Sequence, residues 1–303
     1  MRDQAEKLRQ VIDNLKLKQA VNQAVAPPVP VKRSARVITV TSGKGGVGKT
    51  NITINLAIAL SEQGVRVVIL DADFGLANID VLFGIIPQYT LVDVIKNKKN
   101  ILEILSDGPK NTKFISGGSG VEDLVKLDRQ QLLKFVENMA LLDKLADVII
   151  VDTGAGLSEN VMSFIMAADE VLLVTTPEPT SITDAYALIK MVSNRDKTKK
   201  IRVLVNRADS VGEANDVLNK LMLVADKFLG IALEPAGHIL QDDAVVKAVK
   251  QQKPFSISFP RSQAAKSIKE ISTRMIENGK MSDPLQNPGI RGFLNKLVGF
   301  MRV

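Results

Sequence analysis

The stretch that decides the fold of this 303-residue chain is VITVTSGKGGVGKT, residues 37–50. Its first four residues are β-branched, which favours a strand, and residues 49–63 are predicted to form a helix. Between them, residues 43–50 match the pattern G-x-x-x-x-G-K-[ST]. Glycines let the backbone wrap closely around phosphate groups, whose oxygens accept hydrogen bonds from backbone N–H groups. The sequence therefore predicts a phosphate-binding loop between a strand and a helix.

Two side chains at the end of this loop have predictable partners on a bound nucleoside triphosphate. We expect Lys49 to reach the β- and γ-phosphates and the Thr50 hydroxyl to ligate Mg²⁺. The residues predicted to contact the nucleotide are Gly43, Lys44, Gly45, Gly46, Val47, Gly48, Lys49, Thr50, Asn51 and Asn206.

The rest of the body alternates apolar runs with amphipathic stretches. Strands are predicted at residues 65–70, 147–152, 170–175 and 201–206, with a weaker one at 113–116. Helices are predicted at residues 132–145, 182–192 and 213–228. This alternation indicates an α/β fold, a doubly wound and mostly parallel sheet with helices on both faces. Ligands of such sheets lie beyond the carboxyl ends of the strands, where the glycine loop, Asp71, Asp152 and Asn206 all fall.

The second lysine of the loop, Lys44, departs from the general pattern. The stretch KGGVGKT, residues 44–50, resembles the deviant Walker A motif of the MinD/ParA family. The resemblance implies a P-loop NTPase of MinD-like (SIMIBI) type that hydrolyses ATP to ADP and phosphate with ATP and Mg²⁺ bound. It also implies a homodimer in the ATP state, in which Lys44 reaches the nucleotide of the partner subunit. A solvent-facing lysine is the alternative for Lys44.

Carboxylates and glycines follow two of the predicted strands. Residues 71–80 come after the second strand, as the first switch of the family does, and we expect Asp73 to orient the attacking water. Asp71 is expected to support Mg²⁺ and the loop, although either aspartate could serve only as a turn residue. Four apolar residues followed by Asp152 form a Walker B pattern, so Asp152 is expected to hold Mg²⁺ through water. Gly154 and Gly156 permit a second switch that senses the γ-phosphate.

Further residues are assigned by the same resemblance. Asn206 resembles the residue with which the family reads the base, since its amide offers adenine both an acceptor and donors. A turn residue at the end of a strand is the alternative for Asn206. The expected catalytic residues are Lys44, Lys49 and Asp73. The expected dimer contacts are Lys44, Asn78, Glu178 and Asp184.

Composition excludes several classes of chemistry. The chain has no Cys, which rules out disulfides, thiolate metal sites and cysteine-ligated iron–sulfur clusters, and a cytosolic location fits best. Its single His, His238, cannot build a multi-histidine metal site. There is no 18-residue apolar run and no segment that resembles a signal peptide, so neither a transmembrane helix nor secretion is expected.

The net charge of +7 is concentrated near the two termini. Residues 1–36 and residues 261–303 each carry +5, whereas residues 37–260 carry −3. This distribution favours terminal segments that contact an anionic surface over a body that binds nucleic acid.

The C-terminal segment has the composition of a helix that lies on a membrane. Residues 278–289 are rich in Gly, Pro, Ser, Asp and Asn and are predicted to be a linker that follows an ATPase domain at 36–277. In residues 290–303 one helical face carries Ile290, Phe293, Leu294, Leu297, Val298 and Met301, with basic residues between them. We expect this helix to bind an anionic membrane reversibly, at the inner face of the cell membrane. A helix docked on the protein's own body is the alternative.

The N-terminal segment carries a more specific motif. Residues 1–20 have helical apolar spacing, and residues 21–35 form a proline-rich linker. The stretch DQAEKLR, residues 3–9, resembles the Asp-Gln-Ala-x-x-Leu-Arg motif of the flagellar branch of the MinD family. That resemblance implies contact with a signal-recognition-type GTPase (FlhF) through Gln4, Leu8 and Arg9, and stimulation of its GTP hydrolysis. A frayed, solvated helix is the alternative.

These features together favour a membrane-associating ATPase that regulates flagellar number or placement. A ParA-type DNA-partitioning ATPase would need a basic patch on the body, which is net acidic. A MinD-type ATPase of cell division would leave the N-terminal motif and the proline-rich linker unexplained. Other flagellar proteins remain open as further partners.

Overall fold

The computed structural model describes residues 34–73, 78–118, 127–280 and 288–301. The predicted N-terminal helix, with Gln4, Leu8 and Arg9, and most of the proline-rich linker lie outside these ranges. The described strands are β1 Arg36–Thr41, β2 Val67–Ala72, β3 Ser106–Asp107, β4 Lys113–Ile115, β5 Val148–Thr153, β6 Glu170–Thr175, β7 Lys200–Ala208 and β8 Leu233–Leu240.

Helices connect these strands. They are α1 Lys49–Glu62, α2 Ile79–Phe83, α3 Leu91–Ile95, α4 Ile101–Ile104, α5 Arg129–Met139, α6 Leu142–Leu145, α7 Glu159–Ala167, α8 Pro179–Arg195, α9 Val211–Val224, α10 Asp243–Lys250, α11 Phe255–Ser258, α12 Gln263–Lys280 and α13 Gly289–Met301. A 3-10 turn at Pro109–Asn111 and a π-helical turn at Ala225–Leu229 complete the described elements.

The strands form one sheet in the order β3-β4-β2-β5-β1-β6-β7-β8. Every neighbouring pair is parallel except β3 with β4. Strand β1, which leads into the glycine loop, lies between β5 and β6 in the middle of the sheet. Because parallel strands end at the same edge, the loop, Asp71 and Asp152 are brought together there. The predicted mostly parallel sheet is confirmed.

Apolar side chains cover both faces of the sheet. On one face, α1 and α12 pack against residues such as Ile38, Ile69 and Leu172. On the other face, α5, α7 and α13 cover β1, β2 and β5, and α8 and α9 cover β6 and β7. Both faces of the central strands are therefore buried, which explains why these strands are continuous apolar runs in the sequence.

Several element bounds differ from the predicted ones. The predicted helix at 132–145 is two helices, because the chain turns at Ala140 and Leu141 so that Met139 and Leu142 are both fully buried. Strand β8 was not predicted. It lies at the edge of the sheet and contains Pro235 and Gly237, which interrupt the apolar pattern typical of a central strand. The short strand β3 and helices α2, α3, α4, α7, α10, α11 and α12 were also not predicted.

The C-terminal helix α13 packs on the body. Its predicted membrane face is buried in the core beneath α5 and α7, and Met301 is partly buried there. The rings of Phe164 on α7 and Phe293 on α13 lie 6.1 Å apart. The segment is therefore docked in this structure, which is the alternative that the sequence left open. Helix α12 continues to Lys280, past the predicted domain end at 277. None of the helices in the described ranges has the length and hydrophobicity needed to span a bilayer.

Candidate nucleotide-binding site

Glycines shape the loop between β1 and α1. Gly46 and Gly48 have positive φ angles of 79° and 92°, a conformation that side chains with a Cβ rarely adopt. A Cβ on Gly48 would also lie 2.6 Å from Nδ2 of Asn206, and one on Gly43 would lie 2.4 Å from the backbone carbonyl carbon of Asp184. The loop is thus held close to β7 on one side and to α8 on the other.

Lys49 is buried and paired with a carboxylate. Its Nζ donates to Oδ1 of Asp152 at 3.0 Å, and the Thr53 hydroxyl donates to the same oxygen at 2.8 Å. Asp152 is fully buried at the end of β5, and Lys49 is 7% exposed. Asp152 thus neutralises the lysine that is expected to bind the β- and γ-phosphates.

The other oxygen of Asp152 fits a place in an Mg²⁺ site. Oδ2 is buried and has no hydrogen-bond partner among the described residues, and buried carboxylate oxygens are normally paired. No cluster of three or more His, Cys, Asp or Glu suited to a metal lies in the described part of the chain. Mg²⁺ usually takes one or two protein oxygens together with water and substrate phosphates. The hydroxyl of Thr50 and Oδ2 of Asp152 are the groups that would hold it here.

Asp71 faces Asp152 across the paired strands β2 and β5. Its Oδ1 accepts the backbone N–H of Asp73 at 3.0 Å, and its Oδ2 accepts those of Asn78 and Ile79 at 3.2 and 3.4 Å. Burial, and then the negative charge of Asp152, raise the pKa of Asp71 to about 7. Both oxygens hold the two ends of the first switch loop, so the predicted loop role has a structural basis and the predicted Mg²⁺ role stays a prediction.

The two switch segments approach each other beside the glycine loop. A Cβ on Gly154 would lie 3.5 Å from Oδ1 of Asp73, so the carboxylate of Asp73 is close to the second switch. Gly156 has a φ of 103°, and its backbone N–H donates to the carbonyl oxygen of Ser42 at 2.9 Å. A group that moves Gly154 or Gly156 therefore acts on the neighbourhood of Asp73 as well. Residues 74–77 lie outside the described ranges.

Lys44 lies on the outer side of the loop. Its Nζ donates to Oε2 of Glu178 and to the Thr180 hydroxyl, both at 2.8 Å, and its side chain is 37% exposed. The hydrogen bond from Lys44 and its charge lower the pKa of Glu178. Lys44 therefore has partners within its own subunit in this structure. Thr180 was not predicted, and no local motif distinguishes it from any other threonine at the start of a helix.

A cavity of about 440 Å³ opens beside the loop. Asn51, predicted to contact the nucleotide, and Asn206, predicted to contact the base, both line it, and Nδ2 of Asn206 donates to the carbonyl oxygen of Val47 at 2.7 Å. Its other walls come from Arg207, the end of β8 and the apolar side of α10, none of which was predicted. A largely apolar cavity of this size, with a few amide groups, suits a nucleobase.

The structure thus groups the predicted residues into three neighbouring sets. The residues predicted for phosphate and metal chemistry lie at the glycine loop and the ends of β2 and β5, and they are Lys49, Thr50, Asp71, Asp73 and Asp152. Asn51 and Asn206 line the cavity, and Lys44, Glu178 and the half-buried Asp184 lie where the loop meets the start of α8. Phosphoryl transfer depends on positioning and charge stabilisation more than on covalent help from the protein. The position of Lys49 is compatible with its predicted role in neutralising phosphate charge, and the predicted role of Asp73 in orienting a water molecule stays a prediction. Bound Mg²⁺ would supply further charge neutralisation at the phosphates.

This fold and this loop define a P-loop nucleotide hydrolase with a parallel sheet. The ParA family model, described as NUBPL iron-transfer P-loop NTPase, matches residues 33–276. The chain is 44% identical over 240 residues to the antiactivator FleN of Pseudomonas aeruginosa, a match that covers 79% of this chain and 86% of FleN. It is 33% identical to the flagellum site-determining protein YlxH of Helicobacter pylori, with 89% and 92% covered. The chain belongs to the ParA/MinD family of P-loop NTPases.

A solved structure of the same family is similar throughout. The septum site-determining protein MinD of Pyrococcus horikoshii, complexed with Mg-ADP, has a TM-score of 0.65 and 25% identity, with 81% of this chain and 97% of that chain covered. The predicted family, the ATPase activity and the use of ATP and Mg²⁺ are confirmed. The family model is described by iron transfer, but this chain has no Cys with which to ligate a cluster.

Proposed function

We propose that this ATPase is a membrane-associating switch that regulates flagellar number or placement. The similarity to FleN and YlxH, whose names refer to antiactivation and to flagellum site determination, supports the flagellar assignment. The observation that carries the switch is the position of Lys44, on the exposed rim of the loop and bound to Glu178 and Thr180 of its own subunit.

ATP binding is proposed to produce a homodimer. Lys44 reaches the partner subunit's nucleotide only if it leaves Glu178, and a surface ion pair of this kind is worth at most about 1 kcal/mol. The charge of a triphosphate is a stronger attraction than a single exposed carboxylate. Glu178 and Asp184 then lie at the rim that faces the second copy, and Asn78 follows the first switch. Hydrolysis removes the γ-phosphate and dissolves the dimer.

Membrane association is proposed to follow release of α13 from the body. Burial of an apolar side chain is worth about 1.5–3 kcal/mol, so the five buried apolar side chains of α13 keep it docked on the body in water. The helix leaves the body only for a surface that buries its apolar face to a similar extent, such as the boundary between the headgroups and acyl chains of a membrane. Its basic residues favour anionic lipid. Two helices in one dimer bind with avidity.

The path from nucleotide to helix is short. Helix α7 begins shortly after the second switch, with Ser158 as its N-cap. Phe164 of α7 contacts Phe293 of α13. A displacement of Gly154 or Gly156 by the γ-phosphate is therefore transmitted by helix α7 to the surface on which α13 packs.

The N-terminal segment is proposed to stimulate a signal-recognition-type GTPase of the FlhF class. The test is the GTP hydrolysis rate of that GTPase with the full-length chain added. We expect Gln4→Ala together with Arg9→Ala to abolish the stimulation, and Gln10→Ala on the same segment to leave it within twofold. No stimulation by the unaltered chain would remove the flagellar assignment and leave the ATPase.

A further inference from the structure

The residue that precedes β1 and the first turn of α13 share one hydrogen-bond acceptor, the carboxylate of Asp143 on α6. Oδ1 of Asp143 accepts the backbone N–H of Ala35 at 3.0 Å and the backbone N–H of Ile290 at 3.0 Å. Ala35 is the second described residue after the N-terminal segment, and Ile290 lies in the first turn of α13. One oxygen atom therefore accepts hydrogen bonds both from the start of the described chain and from the start of the C-terminal helix.

The backbone around this carboxylate is closely packed. Gly289 has a φ of 66°, and a Cβ placed on it would lie 2.6 and 2.7 Å from the two oxygens of Asp143 and 2.7 Å from Cβ of Ser34. The space between Gly289, Asp143 and Ser34 is therefore too small for even one methyl group. Ala35 and Ile290 are both fully buried, so their N–H groups have no ready access to water in place of Asp143.

The chain on either side of this junction is held independently. The backbone N–H of Arg36 donates to the carbonyl oxygen of Asp147, and that of Val37 donates to Oδ2 of Asp169, both at 2.9 Å. On the other side, Phe293 is buried against Phe164. A change at Asp143 is therefore confined to residues 34–35 and the first turn of α13 and leaves strand β1 in place.

We propose that Asp143 is a positioning residue that couples the docking of α13 to the anchoring of residues 34–35, so that the first turn of α13 and residues 34–35 are released together. When α13 leaves the body, Ser34 loses its contact with Gly289. Asp143, which is half-buried here, becomes more exposed to water, and water then competes with the Ala35 N–H for the carboxylate. The coupling is reciprocal. Any contact that pulls residues 34–35 away from Asp143 weakens the docking of the first turn of α13 by the same free energy. Its consequence rests on the proposed function: release of α13 to the membrane loosens residues 34–35, which lead into β1.

The experiment is hydrogen exchange, resolved to single amides, on the full chain without nucleotide, vesicles or GTPase. Phe293→Asp places a charge in the seat of α13 and leaves Asp143 unchanged. We expect it to speed exchange of residues 290–298 and also to speed exchange of the Ala35 amide by about tenfold, the effect of one lost hydrogen bond. Exchange at Val37 should stay the same.

Two substitutions of Asp143 test the coupling from the other side. Asp143→Ala removes the shared acceptor and should speed exchange of both the Ala35 and Ile290 amides, whereas Asp143→Asn keeps an acceptor oxygen and should change both by less than threefold. Lys144→Ala, an exposed neighbour on the same helix, is the matched control and should change neither.

Faster exchange in α13 with an unchanged Ala35 amide in Phe293→Asp would overturn the proposal. So would an effect of Asp143→Ala on only one of the two amides. Because these measurements involve neither lipid nor partner protein, they can fail while the proposed function stands, and they can succeed while it fails.

Discussion

Lys49 has two competing partners at the scale of a single residue. In this structure it is paired with Asp152, and the Thr53 hydroxyl shares the same carboxylate oxygen. A buried pair of this kind contributes little net stability, because desolvation of the two charges offsets most of their attraction. Lys49 can therefore exchange Asp152 for the phosphates of ATP at small cost, and the exchange leaves Asp152 free for the metal.

Two features require glycine at position 48: the backbone conformation and the lack of room for a Cβ atom. Its φ is 92°, and a Cβ would meet Nδ2 of Asn206 at 2.6 Å. We predict that Gly48→Ala lowers the free energy of unfolding by about 1–3 kcal/mol and weakens ATP binding at least tenfold, because Asn206 is displaced from the base cavity. Urea unfolding and nucleotide titration measure the two effects.

Gly45 provides the matched control for that substitution. It lies in the same loop, but it lacks a positive φ and a Cβ on it would meet no atom within 4 Å. We expect Gly45→Ala to change the free energy of unfolding by less than about 0.5 kcal/mol. Equal losses in the two variants would show that the contact with Asn206 does not limit the loop.

At the scale of elements, α13 brings a second cation close to a buried lysine. Lys199 donates to the carbonyl oxygens of Met166 and Ala168 at the end of α7. Burial, and then the positive charge of Lys296 on α13, lower the pKa of Lys199 to about 8. The charged form is disfavoured in the folded state, so the unfolded chain binds more protons between pH 8 and the ordinary lysine value of 10.5.

The pH dependence of stability follows from that sign. Over this window the free energy of unfolding of the wild type should rise relative to Lys199→Met by about 1–3 kcal/mol. Lys296→Gln removes the neighbouring charge and should move the onset of the rise to higher pH. Urea unfolding at several pH values measures the difference, and parallel curves for wild type and Lys199→Met would contradict the assignment.

The polar side of α13 is where lipid binding is tested without disturbing its buried face. Arg291 is exposed on this helix. We predict that Arg291→Glu lowers co-sedimentation with anionic vesicles, in the presence of Mg²⁺ and a non-hydrolysable ATP analogue, by about tenfold or more. The exposed Lys98, on the loop between α3 and α4, supplies the matched control Lys98→Glu. Equal binding by both variants would count against membrane contact through α13.

Much of the element pattern could be predicted, and the exceptions have physical causes. Central strands such as β1 and β5 are buried on both faces and therefore read as apolar runs. The edge strand β8 carries Pro235 and Gly237 and gives no such run. The amphipathic face of α13 could be recognised, but an apolar face has the same periodicity whether it meets lipid or a protein core. Its docking depends on contacts with α5 and α7 that lie far away in sequence.

The site follows the same division. The glycine loop and Asp152 could be found because their chemistry is local in sequence. The base cavity could be found only in part, since Arg207, the end of β8 and α10 converge on Asn51 through the tertiary fold alone. Thr180, the second hydrogen-bond partner of Lys44, could not be found from the sequence either, because only the tertiary fold brings it to Lys44.

At the scale of the whole molecule, the proposed function joins a body that binds nucleotide to two basic terminal segments that contact other partners. The body carries −3 and the two terminal segments +5 each. We propose that nucleotide acts on these segments through two routes, the partner subunit reached by Lys44 and the second switch that leads into α7. Under this proposal both routes depend on the γ-phosphate, so the ATP state and the ADP state differ in assembly and in what the terminal segments contact.

The most direct test of this account is the sedimentation of the full chain with Mg²⁺ and a non-hydrolysable ATP analogue. We predict that the wild type and the control Lys98→Ala sediment as dimers, that Lys44→Ala sediments as a monomer while still binding the analogue, and that all three are monomers with ADP. A wild type that stays monomeric at high protein concentration with the analogue, or a Lys44→Ala variant that dimerises normally, would contradict it.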